Sequence, residues 1–118
     1  MIIKIFQKEK QFTLAEANEL VKLANKITSK HKALCDAILI ELERAKVVEI
    51  RKELESKINI IVDNWQNKMK AIGFKTNGLW IADMPSDANK LYCWRFPEET
   101  IQYEHSLTEG FRGRTKIV

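Results

Sequence analysis

The chain has 118 residues, 45% of them apolar and 31% charged, which is the composition of one ordinary globular domain. No apolar run approaches the ~20 residues that cross a bilayer, and Lys8 and Lys10 interrupt the opening MIIKIFQKEK before a signal-peptide core forms, so neither membrane spanning nor export is expected. The net charge of +4 is mild: 14 basic residues stand against 10 acidic ones up to Gly73, and six against six after it, which argues only weakly for a nucleic-acid partner.

Two cysteines, Cys35 and Cys93, are too few for a disulfide framework and suit a reducing cytoplasm. Ile2 to Phe6 is available as an extra strand. Between Lys10 and Gly73 there is neither glycine nor proline, and Thr13-Leu14-Ala15-Glu16 has the form of a capping box that starts a helix at Leu14. Apolar residues then recur at Leu14, Ala17, Leu20, Val21, Ala24, Ile27, Leu34, Ile38 and Leu42, on one helical stripe. The pattern resumes through Leu54, Ile58, Ile61, Val62, Trp65, Met69 and Ile72, with Gly73 at the position of a helix C-cap.

One helix over this whole stretch would be about 90 Å long at ~1.5 Å per residue, too long for so small a domain, so the chain is expected to reverse. The turn is placed between Glu43 and Arg51, near the midpoint, giving an antiparallel coiled-coil-like hairpin. The alternative is a break at Thr28-Ser29 with Ser29 capping a new helix. Because one thin hairpin leaves apolar surface uncovered, the expected oligomer is a homodimer.

After Gly73 the aromatics concentrate, and Asn77-Gly78, Pro85-Ser86-Asp87 and Pro97-Glu98-Glu99 punctuate the chain. Leu79 to Met84, Lys90 to Phe96 and Ile101 to Leu107 read as an antiparallel meander. Setting Phe96 opposite Ile101 places Trp94 beside Tyr103 and Tyr92 beside His105, with Cys93 facing Glu104 on the other surface. The expected fold is therefore α+β: a single domain over 1–118, with a helical hairpin over 12–73 packed on a small antiparallel β-meander and C-terminal tail over 74–118.

The segment Phe12-Thr13-Leu14-Ala15-Glu16-Ala17-Asn18 resembles the FTLEEAN-like opening of a bacterial family known as domain of unknown function 2203. Asp83-Met84-Pro85, Cys93-Trp94-Arg95, Glu98, and His105 with Gly110-Phe111-Arg112-Gly113-Arg114 are similar to its D-F/L-P, CWR, following Glu and H-x4-GFxGR elements. The resemblance spans nearly the whole chain. It departs at Glu104, where the family often has tryptophan, and between the helices, where the family often has glycines or a gap. It implies a long helical hairpin with a small sheet and no particular reaction.

Two constellations carry chemistry. Asp83, Cys93, Glu98 and His105, with Glu104 beside them, are carboxylate, thiol and imidazole side chains of the kind that bind transition metals, although no CxxC or HExxH spacing occurs. In a regular strand His105 is expected on the face opposite Cys93 and Glu104. Arg95, His105, Arg112 and Arg114, among glycines, suit a carboxylate or phosphate, with ordinary Arg–carboxylate pairing as the bland reading. Lys22, Lys26, Lys30 and Lys32 on the first helix admit RNA or the ribosome as a partner, but intervening acids and the lack of stacking aromatics favour a solvated face. No Walker loop, dinucleotide glycine motif or nucleophile elbow is present. The sequence points first to a self-associating interaction or scaffold module. The alternative is a small-ligand or metal-binding protein, or an enzyme using His105, Arg95, Glu98 and Arg114. It names no catalytic residue and no cofactor.

Overall fold

A computed structural model describes residues 11–86 and 90–117. The proposed strand at Ile2 to Phe6 lies outside the described residues. Among the described residues two helices come first, α1 (Leu14–Arg44) and α2 (Val48–Ala71), and pack against each other as the expected hairpin. Thr13 caps α1 in a full capping box: its hydroxyl accepts from the Glu16 amide at 3.2 Å and the Glu16 carboxylate accepts from the Thr13 amide at 2.9 Å. The helix runs unbroken through Thr28-Ser29, and the reversal falls at Ala45 to Val47, inside the expected window. No glycine makes that turn. Instead the Arg51 guanidinium reaches back from α2 and donates to the carbonyls of Leu42 at 2.7 Å and Ala45 at 3.0 Å, which satisfies the exposed end of α1. Gly73 ends α2 with a φ of +103°, a left-handed conformation that a side chain disfavours.

The buried seam of α1 is Ala17, Val21, Ala24, Thr28, His31 and Cys35, at alternating steps of four and three, against Leu54, Trp65 and Met69 of α2. Within it, the Trp65 indole donates to the Thr28 hydroxyl at 2.8 Å, which satisfies the one polar atom that the ring carries into the core.

Five strands follow in a purely antiparallel sheet, in sequence order: β1 (Lys75–Thr76), β2 (Ile81–Pro85), β3 (Leu91–Arg95), β4 (Tyr103–His105) and β5 (Thr115–Lys116). A 3₁₀ turn at Phe111–Gly113 precedes β5. One face of the sheet, with Ala82, Met84, Tyr92 and Trp94, shares a single core with the hairpin residues Ala17, Val21, Ala24, Trp65 and Met69 and with Phe74. Among the described residues no helix is long and apolar enough to cross a membrane.

The pairing of β3 with β4 corrects the expected register by one residue. Leu91 lies opposite His105, Tyr92 opposite Glu104 and Cys93 opposite Tyr103. Tyr92 is therefore not beside His105, nor Trp94 beside Tyr103. The connection from Phe96 to Gln102 is not a short hairpin loop but a segment tied to the first helix. Asn25 donates to the Glu98 carbonyl at 2.9 Å, and the Ile101 amide donates to the Asn18 side chain at 2.7 Å. The Arg95 amide is meanwhile taken by the Glu98 carboxylate at 2.8 Å rather than by a strand. Because strand side chains alternate, a slip of one position moves Tyr103 and His105 to the other face of the sheet.

Candidate metal centre

That slip assembles a site. Asp83 pairs across the sheet with Cys93, Cys93 pairs with Tyr103, and His105 is two residues beyond Tyr103, so Asp83, Cys93 and His105 share the face turned away from the hairpin. The expectation that His105 and Cys93 lie on opposite faces is thus overturned, whereas Glu104 does point the other way. All three groups are buried, with exposures of 5% for Asp83, 0% for Cys93 and 3% for His105. One donor atom from each lies within 4.8 Å of the other two.

The hydrogen bonds orient the histidine. Its Nδ1 lies 2.8 Å from the Ser106 carbonyl, which can only accept, so Nδ1 carries a proton and donates. Its Nε2 lies 2.9 Å from Oδ1 of Asp83. Burial opposes a charge on this ring most strongly, but the Ser106 carbonyl and the Asp83 carboxylate outweigh it, and the His105 pKa is raised above the ordinary imidazole value. Asn77 reaches the other Asp83 oxygen at 3.4 Å. Burial pushes the Cys93 thiol up to about 11, against the opposing pull of Arg114, so without a metal it stays protonated at neutral pH. A buried, protonated thiol beside a histidine whose two nitrogens are both engaged is not arranged as a nucleophile and base.

The C-terminal segment covers this face. Arg114 lies over the Tyr103 ring at 3.9 Å and the Phe111 ring at 4.5 Å, and its Nη2 donates to the Cys93 carbonyl at 3.1 Å. Its Nη1 and Nη2 also donate to the two Glu98 oxygens at 3.1 and 2.8 Å, a bidentate pair that raises the guanidinium pKa despite burial.

The residues singled out from sequence therefore divide. Asp83, Cys93 and His105 converge as possible metal ligands. Glu98 is engaged by Arg114 and the Arg95 amide and does not join them, and Glu104 is paired with Lys90 at 3.2 Å. Of the arginines, Arg114 and His105 meet around Cys93. Arg95 is exposed and lies 5.7 Å from the Phe111 ring, and Arg112 is exposed on the 3₁₀ turn. Sequence reading missed Tyr103 and the Ser106 carbonyl. The first depended on the register, and a backbone acceptor leaves no mark in a sequence.

The donor set can be tested against an ion. At metal–ligand lengths of about 2.0–2.3 Å, a tetrahedral ion needs its S, N and O donors roughly 3.3–3.6 Å apart. The His105–Asp83 separation of 2.9 Å would widen slightly, and the widest separation in the cluster, at most 4.8 Å, would close by about 1 Å, changes on the scale of a side-chain torsion. The Ser106 carbonyl supplies what metal-bound histidines ordinarily have, an acceptor on the far ring nitrogen that aims the near one at the ion.

Asp83, Cys93 and His105, with the Arg114–Glu98 pair beside Cys93, come from stretches scattered over the second half of the chain. No curated protein and no solved structure matches the chain. The family described as "Uncharacterized conserved protein (DUF2203)" matches over residues 10–117, and the chain belongs to that family.

Proposed function

We propose that this chain is a metal-binding protein that holds one divalent transition-metal ion through Asp83, Cys93 and His105. The observation that supports this reading is the convergence of a carboxylate, a thiol and an imidazole within 4.8 Å, with the far nitrogen of the imidazole already held by the Ser106 carbonyl. A mixed O, N and S set suits zinc, cobalt or iron(II) better than magnesium or calcium, which take oxygen. Three protein ligands leave a fourth position open, as at zinc sites that act on a ligand rather than sites that only stabilise a fold. The test is elemental analysis of the purified chain, followed by cobalt(II) titration of the metal-free protein. A tetrahedral cobalt spectrum with thiolate charge-transfer absorption in the wild type, lost in Cys93→Ser and His105→Ala, supports the reading. Equal cobalt uptake by wild type and Cys93→Ser refutes it.

A separate observation favours self-association as a second property. On the half of the hairpin farthest from the sheet, Leu34, Leu39, Ile40, Val47, Val48 and Ile50 are each between 46% and 58% exposed. A second copy of the chain meeting this end would cover them in a homodimer. Light scattering that returns the 13.8 kDa monomer across micromolar concentrations counts against it.

A further inference from the structure

Arg114 indicates what completes the site. Its guanidinium is held in place against the Tyr103 and Phe111 rings and at its end by Glu98. The planar fork then dictates where its remaining hydrogen points. Glu98 takes one hydrogen from each of Nη1 and Nη2, the pair at the tip of the group. The second Nη2 hydrogen goes to the Cys93 carbonyl at 3.1 Å, and the hydrogen on Nε lies beside it along the same edge. Nε–H is therefore turned toward Cys93. Among the described residues, Nε of Arg114 is the one buried side-chain nitrogen or oxygen without a hydrogen-bond partner, and the side chain that Arg114 does draw on at this edge is the Cys93 thiol, a weak acceptor. Native structures rarely leave such a donor unmade, and a ligand that binds there is a standard reason when they do.

Resting on the metal reading above, we propose that the open fourth position of the ion takes an oxygen of a small carboxylate-class oxyanion, of the size of formate or acetate, which also accepts from Nε of Arg114. Glu98 offsets part of the guanidinium charge, so Arg114 contributes chiefly one directional hydrogen. That arrangement selects a compact anion bound through one oxygen. It disfavours phosphate, whose several oxygens call for several donors. The burial of Asp83, Cys93 and His105 limits the ligand to a few heavy atoms.

The experiment uses the full chain loaded with cobalt(II) for absorption, and with zinc for NMR of the arginine Nε–H groups. Formate is titrated in, with phosphate and chloride as comparisons. The proposal expects a saturable change in the cobalt spectrum with formate and none with phosphate, and a shifted Arg114 Nε–H resonance that exchanges more slowly with solvent. In Arg114→Lys the cobalt spectrum should persist while formate affinity falls by about tenfold or more, equivalent to ~1.4 kcal/mol. Arg112→Ala should behave as wild type. A cobalt-loaded protein whose spectrum ignores formate overturns the proposal, as does an Arg114→Lys protein that titrates like wild type. If Arg114→Lys does not fold, the wild-type resonance decides: an Nε–H unmoved by formate overturns it. A chain that takes up no cobalt overturns the metal reading and this inference together, and that failure is distinct from uptake without an anion response.

Discussion

Replacing Arg114 by methionine separates its structural contribution from any ligand. Methionine keeps a flexible stem between Tyr103 and Phe111 but removes the two donations to Glu98 and the one to the Cys93 carbonyl. Hydrogen bonds involving a charged group contribute about 1.5–3 kcal/mol each, and removing one partner of a buried pair costs ~3–5 kcal/mol. The lower end applies here. The Glu98 side chain is 28% exposed, so it can recover water, and its Oε1 keeps the Arg95 amide at 2.8 Å. Two stacking contacts worth roughly 0.5–1 kcal/mol each are lost, while removing the unpartnered Nε returns about 1–3 kcal/mol. The net expectation is a loss of about 3 kcal/mol, which in a domain of this size lowers the melting temperature by roughly 12 °C. Thermal unfolding followed by circular dichroism in the presence of a chelator measures it without any metal contribution. Glu98→Gln and the double variant complete a cycle, and the pair should couple by at least ~1 kcal/mol. An Arg114→Met protein that melts within about 2 °C of wild type, or substitutions that simply add, would refute the reasoning.

In the hairpin core, Thr28→Val keeps the shape but leaves the buried Trp65 indole without its acceptor. It should cost about 1–3 kcal/mol in urea unfolding followed by tryptophan fluorescence, and Thr28→Ser should restore the bond. Gly73→Ala places a Cβ 2.7 Å from the Phe12 ring at a φ of +103°, so it should lose at least ~1 kcal/mol in the same assay, and an unchanged midpoint would contradict the close approach. For the metal-free protein, the raised pKa of His105 means that folding takes up a proton there. The resulting stability is fully present below the ordinary imidazole value of about 6.5 and is lost as pH rises through the folded value. In Asp83→Asn the amide can donate to a neutral Nε2, so burial acts with less opposition. The His105 titration, followed by NMR of its ring protons, should move down and this pH-dependent gain should shrink. A midpoint that stays in place would show that Asp83 does not hold the charge.

The helices were legible because their signals are local. Thr13 and Glu16 cap each other three residues apart, and Ala17, Val21 and Ala24 of the expected apolar stripe mark the first half of the seam, whereas beyond them Thr28, His31 and Cys35 are buried and Leu34 of that stripe is exposed. The position of the turn was legible only as a midpoint, since Arg51 makes it by reaching nine residues back to the Leu42 carbonyl, and an arginine in a charged stretch does not announce that bond. β1 and β5 were not foreseen. Each is two residues long and exists as the partner of a longer strand, too short for alternation to register.

The site depended on one non-local choice. The residue types were visible in the sequence, and so was the gathering of carboxylate, thiol and imidazole in the second half of the chain. Their common face was not, because parity in a strand pair is set by the connection, and here the connection is fixed by Asn18 and Asn25 of a helix some 73 to 83 residues earlier in the chain. With Phe96 opposite Ile101, the His105 ring would turn toward the aromatic core, away from Asp83 and Cys93. With Cys93 opposite Tyr103, it turns outward and meets both. The tie between α1 and the β3–β4 connection thus accompanies the register that brings the three donors together. This links the helical hairpin to the far side of the sheet, although among the described residues no side chain of the hairpin belongs to the cluster.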